Sequence, residues 1–188
     1  MASAEAKTQP TIWIFGYGSL IWGTGPVQVT EKRTGILTGW HREWTWISTA
    51  ARPGAPTCSL APGGQVKGVF LKLRSKSTKQ DLDIFRQRER AATEEMVSEL
   101  PEPGATTYFW TMGDNLSRYP EFNGLTGQKL ARALAEKAAQ ISSPGTDGVL
   151  PSDYIRQVHQ FDPEDHITSE IFHFLPDLST NISNCGAH

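Results

Sequence analysis

Cysteine is scarce. Cys58 and Cys185 are the only two in 188 residues, too few for a disulfide framework, so a reducing, cytoplasmic setting is expected. No apolar run approaches the roughly 20 residues of a membrane span, and no membrane partner is expected. An excess of one charge is missing too: 18 Lys plus Arg face 20 Asp plus Glu, a formal net charge of −2. So even a balance gives no basic footprint for nucleic acid. The five histidines (His41, His159, His166, His173 and His188) have no metal-ligand spacing with each other or with the cysteines, so no metal is expected. There is no internal repeat and no low-complexity block. The opening ten residues hold one Lys and no apolar block, so residues 1–10 are expected to be a flexible tail and not a secretory signal. A single domain over 11–176 and a second flexible tail over 177–188 complete the expected organisation.

Aromatic and β-branched residues cluster early. Thr11–Phe15 (TIWIF) is a short apolar run halted by Gly16 and reads as a buried strand. Arg42–Thr49, Gln65–Leu73 and Thr106–Met112 are further strand candidates. Arg52–Gly64 (RPGAPTCSLAPGG) reads as a Pro/Gly-rich loop with one short strand near Cys58–Leu60. A helix capped by Ser77 or Thr78 is expected to run to about Leu100, stopped by Pro101 and Pro103. Gly127–Ile141 predicts a second helix, and Ser152 or Asp153 caps a third through about Gln160. Ser169–Leu175 reads as a final strand. Early strands with few helical crossovers imply an α+β fold with a largely antiparallel, barrel-like sheet.

Two features carry chemical information. Behind the first strand stands Phe15-Gly16-Tyr17-Gly18-Ser19-Leu20-Ile21-Trp22 (FGYGSLIW). Two glycines around one residue let backbone N–H groups approach a ligand closely, and Ser19 adds a hydroxyl. The run is no phosphate loop, since no Gly-Lys-Ser/Thr follows, and Ile21 occupies the third glycine position of a dinucleotide fingerprint. A tight turn remains the plain alternative. The second feature is Glu89. On a continuous helix it falls in the apolar stripe of Leu82, Phe85, Ala92, Met96 and Leu100. A carboxylate turned towards a core needs a partner, or its pKa rises. It is an ion-pair member beside Arg86, Arg88 or Arg90, an acid that reaches water from a shallow-lying helix, or a working acid–base group. Cys58 has no activating base near it in sequence and reads as an incidental thiol. Trp44, Trp46 and Trp110 read as core residues.

The FGYGSLIW run and the later Arg88-Glu89 pair resemble the ChaC branch of the γ-glutamylcyclotransferases. The similarity continues through Ala139–Ile155 (AQISSPGTDGVLPSDYI), so it covers most of the chain in order. It implies a small mixed β-barrel flanked by helices, working without a cofactor. It further implies a lyase-type cleavage of a small-molecule substrate, glutathione, to 5-oxoproline and cysteinylglycine. On that resemblance Gly16, Tyr17, Gly18, Ser19, Leu20 and Ile21 hold the γ-glutamyl group, Glu89 is the general base, and Tyr154 lies near the site. The alternatives are cyclisation of another γ-glutamyl amine or dipeptide, and a non-catalytic γ-glutamyl-binding module. The chain departs from the family where members carry a His-Arg-Gly-containing segment: it reads Ser48-Thr-Ala-Ala-Arg52-Pro-Gly, with only Arg52 to stand in, a difference that bears on the leaving-group side of the pocket.

Overall fold

In the computed structural model, which describes residues 10–89 and 92–178, the apolar run Thr11–Gly16 forms strand β1 at the centre of a five-stranded sheet. The other strands are β2 (Val29–Ile47), β3 (Pro56–Leu73), β4 (Thr93–Ser98) and β5 (Ala105–Thr111). They pair in the order β2-β3-β1-β5-β4. β1 runs antiparallel to β3, with Phe15 opposite Phe70, and parallel to β5, with Ile14 opposite Tyr108. The helices are α1 (Thr78–Arg88), α2 (Gly127–Gln140), α3 (Pro151–Phe161) and α4 (His166–His173). The fold class is α+β, as expected. The expected barrel is not formed: the order is linear, with β2 and β4 at its edges. Closure needs the edge strands to pair, and β4, six residues reading TEEMVS, carries the charge that keeps an edge unpaired.

Contacts divide the chain into two compact units, Met1–Gly39 with Gly64–Met112, and Trp40–Gly63 with Gly113–His188. Long strands β2 and β3 contribute residues to both. The core of the first unit is aromatic. Phe15 meets Phe70 at 4.9 Å and Phe109 at 6.4 Å between ring centroids, and Phe85 stacks on Trp110 at 6.1 Å. Burying such rings supplies much of the stabilisation, since each removes about 150–250 Å² from water. Their bulk also sets the backbone around β1 at fixed spacing.

The second unit joins α2, α3 and α4 through Ala131, Leu134, Ala135, Ile155, Val158 and Ile171, all buried. A polar knot ties its segment of β2 to the helices. Arg42 donates to Asp162 at 2.9 Å and to Asp165 at 2.8 Å, while Trp44 donates to Thr168 Oγ1 at 2.8 Å. Asn115 exchanges two hydrogen bonds with the backbone of Ile47. Among the described residues no helix is long and apolar enough to cross a membrane.

Several local expectations are corrected. The helix expected from residue 78 to about Leu100 ends at Arg88, with Glu89 as its C-cap, and the chain turns into strand β4. Glu94, Glu95 and Met96 are good helix formers, but pairing with β5 along six residues overrides that propensity. Met96, assigned to the apolar stripe, is consequently exposed. Ser169–Leu175 is not a strand: His166–His173 is helical, and Asp165 caps it by accepting from the Thr168 amide. Most of the supposed Arg52–Gly64 loop belongs to β3, so the short strand near Cys58 and the Gln65–Leu73 strand are one element. Of the expected tails, only Pro10, Asp177 and Leu178 fall among the described residues; Cys185 does not.

Candidate active site

The glycine run sits where β1 ends. Gly16 closes the strand, and Ser19–Ile21 makes one turn of 3-10 helix bounded by Gly18 and Trp22. That turn uses the amides of Ile21, Trp22 and Gly23, which donate to Gly18 and Ser19 carbonyls at 3.0–3.2 Å. The amides of Ser19 and Leu20 open the turn, where helical geometry supplies no acceptor. Gly16 is required by space. A Cβ there would lie 2.6 Å from Leu20 Cβ and 3.3 Å from Val69 Cγ2. Across the ladder, a Cβ on Gly68 would lie 2.5 Å from the Gly16 carbonyl oxygen. Two glycines on neighbouring strands thus let the chain turn back on itself at this point.

Three contacts hold the loop in place. Tyr17 donates its hydroxyl to the Trp110 carbonyl at 2.5 Å, fixing the loop to β5. Lys32 on β2 donates to the Ile21 carbonyl. Arg88 Nη2 donates to Ser19 Oγ at 3.2 Å. These partners lie 11 to 93 residues away in sequence, so no local pattern announces them. Leu20 and Ile21 are buried, anchoring the apolar side of the turn beneath the polar one.

Glu89 follows directly on Arg88. It occupies the C-cap of α1, its amide donating to the Phe85 carbonyl at 2.9 Å. Its side chain is 25% exposed, and Oε1 lies 3.7 Å from Arg88 Nε. Burial pushes its carboxyl above the ordinary carboxylate range, and the neighbouring guanidinium opposes that push without cancelling it. The acid is therefore shielded enough to hold protons more tightly than usual and open enough to reach a ligand. One guanidinium touches both Ser19 and Glu89, so the structure brings together the two features singled out in the sequence. Arg90, the other neighbouring cation, lies outside the described residues.

Tyr154 belongs to the second unit. It is buried on α3, packs edge-on against Trp44 at 5.5 Å, and its hydroxyl meets Cys58 Sγ at 3.1 Å. Arg52 lies over its ring at 3.8 Å and donates to Asp147 at 2.6 Å. Arg52 is thus engaged by an acid and a ring of its own unit. Cys58 is buried, and that burial raises its thiol pKa, the setting of an unreactive thiol.

Comparison with known proteins adds three findings. Residues 12–109, more than half of the chain, match the family described as ChaC-like protein. A glutathione-specific γ-glutamylcyclotransferase of Escherichia coli (strain K12) is 40% identical over 83 residues, which are 42% of this chain and 35% of that protein. The match therefore spans only about a third of the curated relative's length. The fold is similar to that of a yeast γ-glutamyl cyclotransferase specific to glutathione, with a TM-score of 0.63 and 16% identity over 95% of this chain and 100% of that one.

Proposed function

The chain belongs to the ChaC-like family, and we propose that it is a γ-glutamylcyclotransferase that cuts glutathione into 5-oxoproline and cysteinylglycine. One observation carries this reading: a carboxyl with a raised pKa, Glu89, is linked through Arg88 to the Ser19 hydroxyl of a glycine-lined loop. The Ser19 loop and Glu89 both lie within residues 12–109, which match the ChaC-like family, and the Escherichia coli relative, 40% identical over 83 residues, supports glutathione as substrate.

The proposed reaction is an internal aminolysis. The α-amine nitrogen of the γ-glutamyl group forms a bond to its own γ-carbonyl carbon, and the bond from that carbon to the cysteinyl nitrogen breaks. Nucleophile, electrophile and leaving group are all supplied by one substrate, so atoms and electrons balance without a co-reactant. The barrier is mainly one of shape and of proton position. An extended glutamyl chain must curl, and holding it curled recovers up to about 7–11 kcal/mol of entropic cost in well-oriented cases. The Ser19 and Leu20 amides and the Ser19 hydroxyl hold the α-carboxylate in this reading, and Leu20 and Ile21 fix the turn that carries them.

Proton position falls to Glu89. At neutral pH the α-amine is largely an ammonium and has no lone pair to attack with. Glu89 removes that proton and returns it to the departing cysteinyl nitrogen; the second proton, shed by the attacking nitrogen as it becomes the ring amide, passes through the same carboxylate to the released amine, which leaves as an ammonium. A raised pKa suits both halves, since an effective acid–base group has a pKa near the working pH. Such help is worth about 10²–10⁴-fold in rate.

The test is direct. The purified chain is mixed with glutathione, and 5-oxoproline and cysteinylglycine are measured by mass spectrometry. Equal amounts of both are expected. One observation favours a neighbouring reading, cyclisation of other γ-glutamyl amines or dipeptides. In place of the family's His-Arg-Gly segment stand Ser48–Gly54, where Arg52 is engaged by Asp147 and Tyr154. Release of 5-oxoproline from γ-glutamyl dipeptides but not from glutathione selects that reading. Calorimetric binding without any product selects a non-catalytic binding module.

A further inference from the structure

Arg88 stands at the junction of the two site features. It is the last residue of α1, immediately before the C-cap Glu89. A guanidinium carries five N–H donors and no acceptor. In the contact between Arg88 Nη2 and Ser19 Oγ, 3.2 Å long, the serine oxygen must therefore accept. A serine hydroxyl has one proton, and accepting from Arg88 turns that proton away from the guanidinium. The same guanidinium lies 3.7 Å from Glu89 Oε1 through its Nε. Its Nη1 comes within 3.9 Å of where a Cβ on Gly25 would stand, so the fork is flanked by the loop and by the acid.

We infer that Arg88 is a positioning residue: it sets the Ser19 hydroxyl as a donor facing the substrate carboxylate and keeps Glu89 beside that same contact. This rests on the cyclotransferase reading given above and assigns a residue to it. A purely structural role fits poorly. The Arg88 side chain is 37% exposed, and exposed ion pairs add little to stability. Its neighbour Arg86, 42% exposed, directs its fork instead at Glu94 of β4, with two hydrogen bonds at 2.7 and 3.2 Å.

The experiment is a double-mutant cycle with glutathione as substrate, comparing wild type, Arg88→Gln, Ser19→Ala and the double variant, with Arg86→Gln as control. Hydrogen bonds to charged groups and their loss predict a rise in KM of about tenfold for Arg88→Gln. Ser19→Ala is expected to raise KM to a similar extent. The double variant should be no worse in KM than Ser19→Ala, because Arg88 acts on KM through that hydroxyl. Arg88→Lys, which keeps a charge and a donor but loses the fork, should recover part of the lost affinity. Urea midpoints of the Arg88 variants should stay at the wild-type value, and Arg86→Gln should leave KM unchanged.

An unchanged KM in Arg88→Gln, or Arg88 and Ser19 effects that multiply in the double variant, overturns the assignment while leaving the cyclotransferase reading intact. If Arg88→Gln fails to fold, the cycle of Arg88→Lys with Ser19→Ala decides by the same comparison. A wild-type chain that releases no 5-oxoproline from glutathione or γ-glutamyl dipeptides overturns both.

Discussion

Substituting Gly16 by alanine tests whether the shape of the glycine loop matters to the chemistry or merely accompanies it. The added methyl would sit 2.6 Å from Leu20 Cβ and 3.3 Å from both the Leu20 carbonyl carbon and Val69 Cγ2. A separation under 3 Å cannot persist, and Leu20 Cβ is no flexible side-chain tip, so the turn itself has to shift. Overpacking of this kind costs about 1–3 kcal/mol, read as a lower urea midpoint with unchanged slope. The functional loss should be larger than the stability loss suggests. Displacing the loop moves the Ser19 hydroxyl and amides, and a shift of about 1 Å in a positioning group costs on the order of 10² in rate. Gly23→Ala is the control, since a Cβ there meets nothing within 4 Å. The assay is kcat/KM for 5-oxoproline release, beside urea unfolding. Full activity in Gly16→Ala, with the expected fall in stability, would refute the link from loop shape to catalysis.

Other outcomes follow from the same structure. Removing Arg42 leaves the buried Asp162 and the half-buried Asp165 without their cation, so Arg42→Ala should cost about 3–5 kcal/mol in chemical denaturation. In a Cys185→Ser background, Cys58 should react with a thiol reagent only after unfolding, because it is buried and its pKa is raised; rapid labelling of the native protein would contradict this. Activity should fall as pH drops through the Glu89 pKa, since the base works only when deprotonated. That pKa is raised, so the acid limb of kcat/KM should lie above the ordinary carboxylate range of about 4.3; a limb at or below it would contradict the assignment.

The sequence was most informative where one element sufficed to express the signal. The apolar run of β1, the Ala-rich pattern of α2 and the paired glycines each depend on neighbours in the chain, and each is found where expected. Glu89 was singled out from a periodicity that does not exist beyond Arg88, because α1 stops one residue before it. Its partial shielding comes instead from its place at the helix end. Residues 94–96 are helix formers by composition but are held in a strand by β5. The Asp165 cap, with Ile167 and Ile171 four residues apart, was a local signal that could have identified α4. By contrast, the Tyr17 bond to Trp110 and the Lys32 bond to Ile21 join distant segments, and nothing near either residue encodes them. Arg52 is visible as the one stand-in within a segment that departs from the family, but its pairing with Asp147, 95 residues away, is not.

Glu89→Gln is the most direct test of the central claim, because it keeps the shape of the side chain and removes only its ability to take a proton. Isothermal calorimetry with glutathione and single-turnover release of 5-oxoproline should be measured on the same preparation. Binding within a few-fold of wild type, together with a rate lowered by about 10²–10⁴, is the predicted result. A variant that releases 5-oxoproline at the wild-type rate contradicts the assignment of Glu89 as the base.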